Sequence, residues 1–218
     1  MRKRAILTAL ILGMAVSACS GAMIVEGYLR APGIVAAHVA AHPILLQPRD
    51  VPADRIRELL IVEDPRFYSH FGVDFTTPGA GMTTITQGLV KFLYFDRFRP
   101  GLAKFRQSLL AIGFDARVDK QTQLAIFLNS GNLGTLNGRN VRGFSEGAQV
   151  YFGKPFAELS RAEYLSLVAM CVGPNEFSVA TRPAKNSGRV RRIERLLRGE
   201  CRPAGWRDVY YASCDVRL

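Results

Sequence analysis

Glu63 and Asp64 close an apolar helical run, PADRIRELLIVED, in which Ile56, Leu59 and Leu60 fall at helical spacing and mark a buried face. Glu63 follows Leu59 by one turn and so continues that face. A carboxyl group there loses hydration, which raises its pKa toward the range of a general acid or base. The plainer alternative is a glutamate that snorkels to solvent or pairs with Arg66 at a helix end. Phe67, His70 and Gly72 follow, and then a Gly- and Thr-rich turn carrying Thr83, Thr84, Thr86 and Gln87, with Lys91 on the apolar segment beyond. Hydroxyl and amide donors beside a base suit sugar hydroxyls or a phosphate, above all at a helix N-terminus. The same side chains could equally serve as caps for the next helix.

Periodicity predicts the elements that hold these residues. Pro52 suits a first helical turn, and Pro65 disfavours helix at Asp64, so the helix ends where the acid sits. The stretch DFTTPGAG, residues 74–81, reads as a loop. Residues 102–114 are apolar at helical spacing, through Leu102, Phe105, Leu109 and Ile112. Asp119 is placed to cap KQTQLAIFLN. Ser160-Arg161-Ala162-Glu163 is a capping box that opens a helix running to about Cys171. After Pro183 an Arg-rich helix spans residues 187–198, its arginines on a solvated face. His38 and His42 are one helical turn apart, but no acidic residue joins them, so they read as connector rather than metal ligands. Arg139 and Arg142 read as solvated loop residues that could reach a phosphate. Cys201 and Cys214 could pair in an oxidising compartment, and Cys171 reads as a buried thiol.

The 218 residues suit one ordinary domain plus a leader, with 48% hydrophobic residues and a formal net charge of +11. Such a balance suits nucleic acid, an anionic membrane surface or a phosphorylated ligand. No nucleic-acid motif and no zinc spacing is present, which leaves the membrane and the phosphorylated ligand. After Met1-Arg2-Lys3-Arg4, residues 5–25 carry no charge. That is about the length that spans a bilayer, with the basic end held in the cytoplasm and the body facing the periplasm or cell exterior. Val16-Ser17-Ala18-Cys19 resembles a lipoprotein cleavage box, so an uncleaved anchor and a lipidated Cys19 both stay open.

Glu63-Asp64-x-x-Phe67-x-x-His70-x-Gly72 resembles the first motif of the peptidoglycan glycosyltransferases, the module found in bifunctional penicillin-binding proteins and in monofunctional transglycosylases. Thr83-Thr84-Ile85-Thr86-Gln87 with Lys91 resembles the second, although Met82 stands where that family has a second Gly, Gly88 where it has a second Gln, and Phe92 where Asn is common. Counting back from LAIFLN, which resembles the fourth motif, puts Ala103, Lys104 and Gln107 on the family's Arg-Lys-x-x-Glu. Tyr151-Phe152-Gly153-Lys154 matches Tyr-Phe-Gly-Lys. The resemblance covers roughly residues 51–202. It divides the chain into an anchor or signal (1–25), a membrane-proximal connector (26–50), the glycosyltransferase-like domain (51–202) and a tail (203–218).

The resemblance implies an all-α, lysozyme-like, two-lobed domain with an N-terminal membrane anchor, and polymerisation of lipid II onto a growing glycan strand at the cell membrane. Glu63 would be the general base. Gln107 would occupy the second catalytic position, where the family has Glu. Asp64, Phe67, His70, Thr84, Thr86, Gln87, Lys91, Lys104 and Arg106 would bind substrate, with Arg106 standing in for the missing Arg. In the family the second Glu helps handle the pyrophosphate, directly or through a divalent cation such as Mg or Mn, and Gln binds a metal more weakly. Other cell-wall synthesis proteins are implied as partners, and nucleic acid is not. Two other readings remain open: a weakened member that binds lipid II or glycan and regulates cell-wall synthesis, and a glycan-cleaving enzyme using Glu63 as acid.

Overall fold

The structure, a computed structural model, describes residues 2–79, 81 and 83–215. Met82 lies outside the described residues. Among the described residues the regular structure is helical apart from one hairpin. Helix α1 (Arg2–Ala41) is followed by α2 (Ala53–Glu63), α3 (Ile85–Tyr94), α4 (Leu102–Arg117) and α5 (Lys120–Ser130). Strands β1 (Asn132–Leu136) and β2 (Arg139–Arg142) come next, and then α6 (Gly143–Phe152), α7 (Arg161–Met170) and α8 (Pro183–Leu197).

Helix α1 is long and apolar enough to cross a membrane. It does not stop at the Pro and Gly residues after Glu26, where a broken connector was expected, but runs through Pro32 to Ala41. Proline removes a hydrogen bond from a helix interior; here the packing of α1 along α4 offsets that loss. The two backbones touch. A Cβ on Gly27 would lie 2.3 Å from the Leu110 carbonyl oxygen, and one on Gly113 1.9 Å from that of Ile24. Ala31 is fully buried there, and Tyr94 donates to the Gly27 carbonyl at 2.7 Å.

The core gathers Leu59, Leu89, Leu110, Phe114, Leu124, Leu128, Phe144, Leu165 and Val168. Helices α2, α3, α4 and α6 each contribute one face, whereas α5 and α7 are buried over most of their circumference. Caps fall where side-chain chemistry places them: Thr84 with Gln87 and Ser160 with Glu163 form capping boxes, and Asp119 caps α5. The hairpin was not expected. It turns on Asn137 and Gly138, both at positive φ, the pair that a two-residue hairpin turn favours, and β1 and β2 pair antiparallel around it.

Candidate active site

Glu63 is the last residue of α2, and the helix ends because Asp64 turns away. Asp64, 1% exposed, accepts from the backbone N–H of Ile85 at 2.9 Å and from His70 Nε2 at 2.9 Å. His70 Nδ1 accepts from the Gly72 N–H at 3.0 Å, so the ring proton sits on Nε2 and points at Asp64. Thr84 donates to the Gly72 carbonyl at 2.7 Å. Thus α2 and the start of α3 are tied together through one buried carboxylate. Phe67 is core, stacked edge-on against His70.

Thr86 and Gln87 are likewise turned inward. Thr86 donates to Gln123 at 2.7 Å, and Gln87 donates to Ser108 at 2.8 Å. Gln107 is buried and donates to the Gln87 carbonyl. Of the side chains expected to touch substrate, then, Asp64, Phe67, His70, Thr86, Gln87 and Gln107 are spent on holding helices together. The polar groups of Asp64, His70, Thr86 and Gln87 find protein partners before they can reach a ligand, whereas Gln107 Oε1 is buried without one. Arg106 is also occupied: it pairs with Glu26 of α1 at 2.9 Å and lies over Phe95, so it does not stand where an absent arginine would be replaced.

What does face open space is a cleft of about 680 Å³. Glu63, Lys91, Asp96, Arg142 and Arg189 are its charged residues, and Thr83 and Thr84 line it beside them. Glu63 is partly open to the cleft, but its Oε1 is buried without a partner. Burial pushes its carboxyl up from 4.5 to about 7, the neighbouring Asp64 charge adds to the rise, and Arg189 opposes it. Lys104 donates to Thr83 at 2.7 Å. Burial, with the charge of Lys91 beside it, lowers the Lys104 ammonium to about 8. Lys91 itself lies 5.2 Å from the Phe98 ring centre. Gly88 also lines the cleft, and a Cβ there would meet nothing within 4 Å. The missing side chain widens the cleft at that point.

The arrangement offers a proton acceptor poised near neutrality together with two neighbouring ammonium groups, which is chemistry for activating a hydroxyl and stabilising a departing anion. A family model described as Transglycosylase matches residues 34–198. The chain belongs to the transglycosylase family. It is similar to penicillin-binding protein 1B of Haemophilus influenzae (31% identical over 162 residues, 68% of this chain and 21% of that one). Similarity extends to penicillin-binding protein 1B of Escherichia coli K12 (31% identical, 64% of this chain and 18% of that one). Penicillin-binding protein 1A of Pseudomonas aeruginosa is 29% identical over 68% of this chain and 19% of that one. The chain spans about a fifth of the length of these relatives.

Among the described residues no three His, Cys, Asp or Glu side chains gather to hold a metal ion. Gln107, the position through which the resemblance would route a divalent cation, is buried in the α3–α4 contact, so these residues do not form a ligand set for one. His38 and His42 stack, and His38 bonds Ser130 at 2.8 Å.

Sequence reasoning missed several cleft residues. Arg189 was placed on a solvated face but is 1% exposed; it shares the inner stripe of α8 with Asn186 and Ile193, a spacing that was visible in the sequence. Asn132, Thr135 and Asn140 reach the cleft from the hairpin, which the Asn-Gly pair could have announced, and Arg142, read from the sequence as a loop residue that could reach a phosphate, lines it beside them. Cys171, half-buried and packed against the core, also lines the cleft, and burial raises its thiol pKa, with the Glu63 charge adding to the rise.

Proposed function

We propose that this chain is a peptidoglycan glycosyltransferase that polymerises lipid II. Glu63 takes the proton from the 4-hydroxyl of the acceptor sugar, and the oxygen attacks the anomeric carbon of the lipid-linked donor. The bond to the pyrophosphate breaks, undecaprenyl pyrophosphate leaves, and the configuration inverts in a single displacement. Lys91 and Lys104 stabilise the negative charge that develops on the leaving group. The observation that carries this reading is the Glu63 carboxyl, its Oε1 buried without a partner, in one cleft with the Lys91 ammonium, within a chain of transglycosylase lineage; burial there pushes the carboxyl up to about 7. A base near the working pH is both unprotonated often enough and basic enough to act.

The apolar half of α1 crosses the membrane, and the catalytic domain works on its outer face, where the lipid-linked donor and the glycan strand are reached. Domain boundaries follow from the same reading: an anchor through about residue 25, its helix continuing into the catalytic domain.

The test is lipid II consumption by the full-length protein in detergent, with and without divalent cation, beside Glu63→Gln. Glycan polymer from the wild type and a loss of about 10²–10⁴-fold in the variant is expected. Wild type and variant equally inert, both still binding lipid II, would replace the enzyme with a lipid II-binding protein.

A further inference from the structure

The family match ends at residue 198, yet a wall of the cleft lies beyond it. Cys201 and Cys214 are joined by a disulfide, which closes the intervening segment into a loop whose regular structure among the described residues is a single turn, Ala212–Cys214. Three attachments run from this loop to the site. Tyr211, 1% exposed, donates its hydroxyl to the carbonyl of Val62, the residue before Glu63. The Val209 carbonyl accepts from Arg189 at 2.7 Å, and the Arg189 guanidinium is held between the Tyr211 ring at 5.1 Å and the Phe177 ring at 5.3 Å. The Gly205 carbonyl accepts from the Gly79 N–H at 3.0 Å, and Pro203 and Tyr211 crowd Gly79. Glu63, Gly79, Arg189 and Val209 all line the cleft.

A short irregular loop has little of its own to keep it in one conformation. The covalent closure limits the alternatives that would otherwise compete with these contacts. We propose that the disulfide-closed segment 201–214 is a positioning element of the active site, holding Arg189 and the Glu63 end of α2 in place through Tyr211 and Val209, so that the site depends on the Cys201–Cys214 bond. The activity part of this inference rests on the glycosyltransferase reading; the positional part does not.

The charged and titratable groups around Glu63 are Asp64 at the end of its own helix, Arg189 from α8, Cys171 at the end of α7, and Tyr211 from the loop. Arg189 is the one that favours the ionised carboxylate. If the loop lets go, Arg189 relaxes and the Glu63 midpoint rises.

The experiment follows the Glu63 carboxyl by carbon-13 NMR of glutamate-labelled full-length protein in detergent, with the resonance assigned by Glu63→Gln. It compares oxidised and thiol-reduced protein, Cys201→Ser/Cys214→Ser, Tyr211→Phe and Arg189→Lys. Reduction and the double variant are expected to raise the midpoint by about one pH unit. Turnover at pH 7 falls severalfold and recovers on reoxidation, while Arg189→Lys keeps most of the wild-type midpoint. Circular dichroism reports whether reduction unfolds the domain. If it does, Tyr211→Phe decides, because it keeps the disulfide and removes only the bond to Val62; a raised midpoint there supports the proposal. An unchanged midpoint in folded reduced protein, or in Tyr211→Phe, overturns it. A wild type that makes no polymer sinks the glycosyltransferase reading and leaves the Glu63 titration to judge this one.

Discussion

Glu63→Gln keeps the shape of the side chain and removes its ionisation, so its effect on stability isolates the cost of placing a carboxyl in this cleft. The group ionises at 4.5 when unperturbed and at about 7 in the folded protein. Below 4.5 both folded and unfolded chains hold the proton, and the group adds nothing to the pH dependence. Between 4.5 and about 7 the unfolded chain has released the proton that the folded chain retains, so stability falls as pH rises. Above about 7 the loss is complete. One pKa unit corresponds to about 1.4 kcal/mol, which sets an upper limit of roughly 3 kcal/mol; because Glu63 is partly open to the cleft, a value of about 1–3 kcal/mol is expected. Gln does not titrate. The variant should therefore melt with a Tm advantage over the wild type that is small at pH 4, grows through pH 5–7 and levels off by pH 8, at several degrees for a protein of this size. Thermal melts of both proteins across that range, in the same detergent, measure it. A Tm difference that stays constant from pH 4 to pH 8 would refute the desolvated base, and with it the reason for assigning Glu63 its role. The expected pattern is a protein that is more stable and inactive, as when strain at a working site is relieved.

The pH–rate profile of lipid II polymerisation should rise through about 7 with Glu63 and fall above about 8 as Lys104 loses its proton; a flat profile from pH 6 to pH 9 would contradict both assignments. Lys91→Met should lower kcat about 10²–10³-fold and move the alkaline limb upward, because the charge that depresses Lys104 is gone; an unmoved limb separates the two lysines. Gln107→Glu should lower Tm without raising turnover, since it strips the Gln87 carbonyl of its donor and buries a charge at a cost of about 1–3 kcal/mol or more. A gain in turnover would mean that the side chain swings into the cleft. Gly113→Ala should drive α1 away from α4, because its Cβ would overlap the Ile24 carbonyl; accelerated amide exchange at residues 24–31 with the rest of the domain unchanged would show it, and wild-type exchange there would not be compatible with the close contact.

Much of the site was legible because local rules govern it. Glu63 could be placed on a buried face from Leu59 and Leu60 alone, and the helix end from Pro65. Thr84 with Gln87, Ser160 with Glu163 and Asp119 declared their caps by spacing. The N-terminal apolar run was equally plain, since membrane length is a property of composition. Residues that share a motif were harder to sort by role. Nothing in the sequence around His70 and Gln87 separates a ligand-binding role from a structural one, and only the fold shows that Asp64 and Ser108 occupy them.

Tertiary structure decided everything that depends on which distant segment lies alongside. Helix α1 continues past Pro32 because α4 is there to receive it, a contact that Gly27 and Gly113 permit but that neither predicts alone. Arg106 is withdrawn from the cleft by Glu26, eighty residues earlier in the chain. Arg189 enters the cleft because Ala169 and Val209 supply carbonyl acceptors. The sequence by itself determined the buried face that ends at Glu63, the helix that carries it and the membrane-length apolar run, because neighbouring residues impose burial and helix ends on one another. Which polar side chains remain free to meet a substrate was decided only by packing, because a hydrogen bond between segments far apart in the chain leaves no periodicity behind.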